Sequence, residues 1–472
     1  MILKTDREKT AHLLRRFALG ASEAELDYYL GSSGKLGDAI TRLLDYEKVA
    51  DDFPLDFDDL QLQPDRPVPM PALVSWWASR MLYTRRPLEE KLTLFWHDHF
   101  ATSAEKVKAA SAMFRQNQIL RQHCLGNFRE MLHAVSKDPA MLFWLDNQFN
   151  VRGKPNENFA REVMELFTLG IGHYTEKDVQ EAARAFTGWG IGRARAPVAR
   201  PQNQVRGNTT FVFRPFLHDA GQKTVLGKTG NLTGEDVLDH LCALPRTSEY
   251  LVTKMWSWFA YPNPEPKLVK RLAEGFRKND LSLRWLTETI MRSPEFYSDK
   301  AVRAVYKNPV DFAVVVARQL GVSGQIEGAS QLAPRAALAP GHFLGQTLKN
   351  LGMHLFYPPD VDGWAGGASW ISTATMLERI RFADALFKGK SANRARIRPL
   401  PAYGLIGGAG GAAQAVDRLL SLLDVTLPKE KRQAVIEAAK DAGGDSITQS
   451  NANEVAAAIA RMIFATPEFQ FA

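Results

Sequence analysis

The sequence predicts a mainly α-helical protein, a multi-helix array with one small β-hairpin near 209–227. Three observations carry this. Apolar residues recur at i, i+3, i+4 and i+7 over most of the 472 residues, the period of helices that bury one face. Residues that satisfy orphan backbone groups punctuate these stretches, with Ser, Thr and Asn ahead of them and Gly behind. Strand-like patterning is confined to TTFVFRPF (209–216) and KTVLG (223–227), where a turn at 218–221 would close a hairpin.

In chain order, HLLRRFALG fits an amphipathic helix closed by Gly20, Ser22 caps EAELDYYL, and residues 35–46 read as a third helix. The acidic, proline-rich stretch 51–71 reads as a surface loop or lid. A long helix follows over 71–85, and Pro87 opens EEKLTLFWHDHF from the first helical position. Residues 104–124, 126–135 and 138–146 continue the helical pattern, and the basic loop IGRARAPVARPQNQVRGN precedes the hairpin. Helices resume at Thr233 and run past Phe296, with a weak boundary near 321–345. TETIMRSPEFYS (287–298) echoes ARMIFATPEFQFA near the chain's end, which suggests a recurring corner where Phe296 and Phe469 pack back on the core.

A chain of this length is long for one core, and two or three subdomains are expected. Five regions follow: 1–190, helical, with the HDH and NENFARE motifs; 191–232, a loop and hairpin insert; 233–387, a second helical region; 388–415, a low-complexity linker or loop; and 416–472, the closing helices. The net charge of +7 is scattered, and neither a zinc-finger spacing nor a nucleic-acid module accompanies it, so nucleic acid is not an expected partner. Cys124 and Cys242 form no metal spacing and read as buried free thiols. No run approaches ~20 consecutive apolar residues, so no transmembrane segment is expected. The opening residues have no signal-peptide core, which predicts a cytoplasmic chain as written, or an exported one if a leader has been removed.

The richest segment is 147–189, NQFNVRGKPNENFAREVMELFTLGIGHYTEKDVQEAARAFTGW. Asn156 is placed to cap a helix, and Phe159, Val163, Leu166 and Phe167 fall on its core face. Asn158, Arg161, Glu162 and Glu165 form a polar stripe nearly opposite. Thr175 and Asp178 stand at the capping-box distance for the helix that follows. The stripe is either a site wall, with Glu162 and Glu165 as acid and base and Arg161 as their orienting cation, or a buried network containing an Arg161–Glu165 ion pair.

Other groups could join it. His97 and His99 can share a divalent metal ion, the one cofactor this pattern suggests, only on extended backbone; on a helix they lie about 200° apart. That site therefore needs the helix to end near Trp96. His218 is a further acid/base candidate beside the hairpin turn. In FYPPDVDGWAGGASWIS, Asp360, Asp362 and Trp364, with Asn158 of the stripe, are candidate substrate-binding residues. Aromatic faces stack on sugar-like rings, and carboxylates accept hydroxyl protons. The other reading is an Asx-type turn with anchoring tryptophans. GKTGNLTG lacks the first glycine of a P-loop, and no GxSxG elbow occurs.

HLLRRFALGAS, LTLFWHDHFATS, the NENFARE block, FRPFLHDAGQKTVLG, YPPDVDGW and the closing TPEFQ together resemble the bacterial domain-of-unknown-function 1800 family over nearly the whole chain. That resemblance implies no settled activity and no catalytic residues. It implies a frequent neighbour, a domain-of-unknown-function 1501 protein similar to phosphatase- and sulfatase-type enzymes, as a partner. Three functions are therefore expected to compete: a hydrolase or lyase acting on a carbohydrate-like or other polar polymer, a His/carboxylate metal-binding protein, and a non-catalytic scaffold for that partner.

Overall fold

Side-chain caps set where many of the helices begin. Thr5, Ser22, Thr175, Thr233 and Ser372 each accept the N–H three residues on, and that residue's side chain returns to the cap, so two orphan donors are satisfied at each start. The computed structural model describes residues 3–51, 53, 55–61, 66–193, 205, 209–322, 334–389, 397–408 and 410–472. Among them are 22 α-helices and two two-stranded antiparallel sheets. A single apolar cluster runs from Ala11 to Phe469. Among the described residues, no helix is long and apolar enough to cross a membrane.

Strand pairing departs from the expected hairpin. Thr209–Phe213 pairs with Trp189–Arg193, and Lys223–Val225 pairs with Lys228–Gly230 instead. The stretch between 213 and 223 cannot be a tight turn, because Pro215–Leu217 is a 3-10 helix and Arg184 grips the Asp219 carboxylate at 2.8 Å. Leu226 and Gly227, both at positive φ (47° and 81°), instead form the two-residue turn that matches strand twist. Most of the basic loop 191–208 lies outside the described residues, as does 390–396 of the low-complexity stretch; the latter's Ala402–Ile406 is a short helix with Ala402 and Ile406 buried.

The expected helix 104–124 is two, Ala104–Val107 and Ala110–His123, broken where Lys108 adopts positive φ. The described part of 51–71 is less lid than lining, since Leu60 is fully buried and the Leu55 carbonyl accepts the Trp76 indole N–H at 2.9 Å. The Ser/Thr-Pro-Glu-Phe echo takes one form twice: Pro294–Tyr297 and Pro467–Phe469 are both 3-10 turns, with Phe296 and Phe469 fully buried. Cys124 and Cys242 are buried and free.

A buried ionic network ties the first half together. The Glu90 carboxylate, inaccessible to solvent, accepts from Trp77 Nε1 at 2.8 Å, Arg80 Nε at 2.5 Å, and Arg121 Nε and Nη2 at 2.7 and 3.0 Å. It joins helices Met70–Tyr83, Pro87–His99 and Ala110–His123. The two guanidinium groups outweigh its burial and hold its pKa down at about 2.

Candidate functional site

The NENFARE helix does not keep one geometry. Asn158–Glu162 is α-helical, with the Asn156 side chain accepting the Asn158 N–H at 3.0 Å, and Val163–Leu169 is π-helical. Phe159, Val163 and Phe167 are buried on the core side, as their spacing requires. The wider π turn leaves carbonyls near its end for side chains from elsewhere. His99 Nε2 meets Phe167 O at 3.2 Å, the Tyr250 hydroxyl donates to Leu166 O at 3.0 Å, and Arg246 Nε donates to Leu169 O at 2.7 Å. Helices Pro87–His99 and Pro245–Phe259 are thereby fixed against the stripe.

The fourth wall is the loop at 360–364. Its Trp364 N–H donates to Asp98 Oδ1 at 2.8 Å, at the end of helix Pro87–His99. Gly363, at φ +85°, lies directly on the same residue: a Cβ there would overlap the Asp98 carboxylate and stand 2.7 Å from the Asp98 carbonyl oxygen. Asp362 thereby acts on Asp98, Glu162, Lys254 and Tyr250 alike, and Glu165 stands beside Glu162.

Electrostatics separate these groups. Burial raises the Glu162 pKa to about 7, and the charges of Glu165 and Asp362 push the same way. Its side chain makes no hydrogen bond among the described residues. Asp98 is raised to about 6, again chiefly by burial, with the Trp364 N–H and Lys254 opposing. Burial depresses the Lys254 amine, which Asp98 and Asp362 counter, and the ammonium stands 5.6 Å from the Tyr250 ring centroid. Tyr250 is pushed up to about 12 by burial and the Asp362 charge. Glu165 accepts a hydrogen bond from the Tyr174 hydroxyl. Two carboxyl groups, Asp98 and Asp362, therefore face the Lys254 ammonium, while Glu162 stands among the like charges of Glu165 and Asp362.

Other predicted residues stand elsewhere. Arg161 turns from Glu165 to a bidentate pair with Glu176 at 2.7 and 2.8 Å and a contact with Glu157 at 3.2 Å. The expected Arg161–Glu165 pair is therefore absent, because the widening helix rotates Glu165 toward Tyr174. Asn158 spends its amide on the Leu145 carbonyl at 3.3 Å. Asp360 accepts the Asp362 N–H at 3.0 Å, an Asx turn that shapes the loop. The Trp364 ring packs inward against His97, 5.7 Å between centroids, so its backbone is what reaches Asp98. His218 bonds to Thr187 O at 2.9 Å and packs on Phe213; among the described residues no contact joins it to Glu162 or Glu165.

The histidine pair does not meet the condition for sharing a metal ion, since the helix runs through His99 and the two rings diverge. His97 sits among Trp77, Phe356 and Trp364, where burial lowers its pKa to about 3. Among the described residues no group of three or more His, Cys, Asp or Glu is arranged to hold a metal. Sequence reasoning missed Asp98, Lys254, Tyr250 and Tyr174. Asp98 was in view as the centre of HDH, but the histidines flanking it drew the metal reading.

No curated protein and no solved structure matches this chain. A family model described as a protein of unknown function, DUF1800, matches residues 12–471, and the chain belongs to that family.

Proposed function

We propose that the protein is an enzyme that works by general acid–base catalysis on a polar, uncharged or cationic substrate, as a hydrolase or lyase. The observation that carries this is Glu162: a buried carboxyl without a hydrogen-bond partner among the described residues, raised to about 7, and sharing the Asp362 charge with an aspartate raised to about 6. Structural carboxylates are paired, as Glu90 is, whereas a general acid must keep its proton near neutral pH and give it to something outside the protein. In this reading Glu162 donates the proton and Asp98 accepts one. Lys254 stabilises negative charge that develops between them, and Tyr250 and Asp362 set the local field. The excess of carboxylates disfavours a polyanion.

The sign of the pH dependence supplies a test that needs no substrate. A carboxyl raised in the folded state contributes stability below its ordinary value near 4.5, and that contribution is lost as pH rises through about 7. Glu162→Gln has no carboxylate to bury, so at pH 8 it is expected to be more stable than the native chain by about 1–3 kcal/mol, the gain fading toward pH 4. Melting curves across this range measure it. Destabilisation by Glu162→Gln at every pH would instead make the stripe an internal network and defeat the catalytic reading. Once a substrate is found in a panel of neutral and cationic polymers, the same variant is expected to lose about 10²–10⁴-fold in kcat.

A further inference from the structure

One helical turn beyond Lys254, the helix Pro245–Phe259 forms the wall of a separate cavity of about 330 Å³. Ser257 and Trp258 lie three and four residues past Lys254, about 5 Å along the axis. On the opposite side, Gly366 stands four residues past Asp362, so the loop that carries Asp362 also reaches the rim within about 14 Å of chain. Cavity and carboxyl cluster are thus neighbours sharing two walls.

The lining is specific in kind. Trp258, Trp370 and Tyr306 supply aromatic surface, and the exposed residues Gly367 and Ala368 form an open rim. The polar floor is Asn308 and Asp311, each less than a tenth exposed. Asp311 is neutralised by the Lys91 ammonium and accepts the Asn308 amide at 3.0 Å, so the floor presents hydrogen-bonding atoms without net charge. Among the described residues, the Ser257 hydroxyl, the Tyr306 hydroxyl and the indole N–H groups of Trp258 and Trp370 make no hydrogen bond. An aliphatic chain would strip water from these groups and leave them unpaired, at a cost. A sugar ring would lay its C–H face on the aromatics and pair its hydroxyls with those groups. The volume is at the small end for ligand pockets and suits a single unit.

We propose that this cavity is a subsite for one uncharged pyranose unit of a polymer whose adjoining unit lies at the Glu162–Asp98 cluster. The assignment of the adjoining unit rests on the acid–base reading of that cluster; the binding site itself does not.

The test is binding of maltohexaose, cellohexaose and chitohexaose, each as a separate probe, to the full chain, followed by calorimetry and tryptophan fluorescence. At least one is expected to bind and to perturb the tryptophan emission. Trp370→Ala should weaken it about tenfold or more. Because Trp370 is nearly buried and its loss could disturb folding, Tyr306→Phe and Ser257→Ala serve as milder variants, each expected to cost about 3- to 10-fold with an unchanged melting temperature. Failure of all three probes to bind, or affinities indifferent to all three substitutions, would overturn the subsite. Binding that depends on Trp370 without turnover sensitive to Glu162 keeps the subsite and rejects the acid–base reading; the converse result rejects the subsite alone.

Discussion

Two residues that sequence patterning does not single out, Asp98 and Lys254, do most to define the site's electrostatics. Lys254 is one of several charged residues on a helix of mixed composition, and nothing in its neighbourhood in sequence foretells carboxylates across from it. Its charge is one of the two influences that keep Asp98 from rising further. Replacing it as Lys254→Met is therefore expected to move the Asp98 midpoint upward from about 6. Carbon-13 titration of the side-chain carboxyls would show this, and an unmoved Asp98 would remove Lys254 from the cluster. Glu162 is different. Its place on a polar stripe opposite Phe159 and Val163 could be read from a helical wheel, but its raised pKa could not, because burial and the approach of Asp362 come from other parts of the chain.

At the level of elements, the decisive event is the change from α to π geometry at Val163. A wheel drawn at one period assigns Arg161 to Glu165, whereas the wider turn gives Glu165 to Tyr174 and leaves Arg161 to Glu176. Local propensity does not announce such a change; the carbonyls it frees are held by His99, Tyr250 and Arg246, all distant in sequence. The 360–364 loop is the other element that matters, and it depends on Gly363. Gly363→Ala would bring a methyl onto Asp98 at a positive φ that side chains resist. A loss of about 1–3 kcal/mol in thermal or denaturant unfolding is expected, together with a changed Asp98 titration as the Trp364 hydrogen bond is displaced. Wild-type stability in this variant would mean that the loop is not seated on Asp98.

Across the whole molecule, two kinds of buried charge stand side by side. Glu90 is enclosed by two guanidinium groups and an indole N–H, its pKa falls to about 2, and it serves cohesion. A carboxyl lowered on folding contributes stability above its ordinary value near 4.5 and loses it as pH falls toward 2. Glu90→Gln is therefore expected to cost about 3–5 kcal/mol at pH 7, since it leaves Arg80 and Arg121 buried without their counter-charge. The penalty should shrink on acidification below pH 4, which unfolding curves at the two pH values would measure. Glu162 has the opposite pH signature in the same fold, so the pair of variants distinguishes a carboxylate held ionised from one held protonated toward neutral pH.

The sequence by itself determined the helical class, the capped starts at Ser22, Thr175 and Thr233, the proline start at Pro87, the paired Ser/Thr-Pro-Glu-Phe corners and the membership of the NENFARE stripe, because capping, proline placement and amphipathic period act over a few residues. Strand partners, the π turn and the meeting of Asp98, Glu162, Lys254 and Asp362 were decided only by the tertiary structure. These depend on which distant side chain reaches an orphan carbonyl and on how much water packing removes, and neither quantity is carried by local spacing. The stripe was legible as polar; its setting among like charges, with one carboxyl unpaired among the described residues, was not.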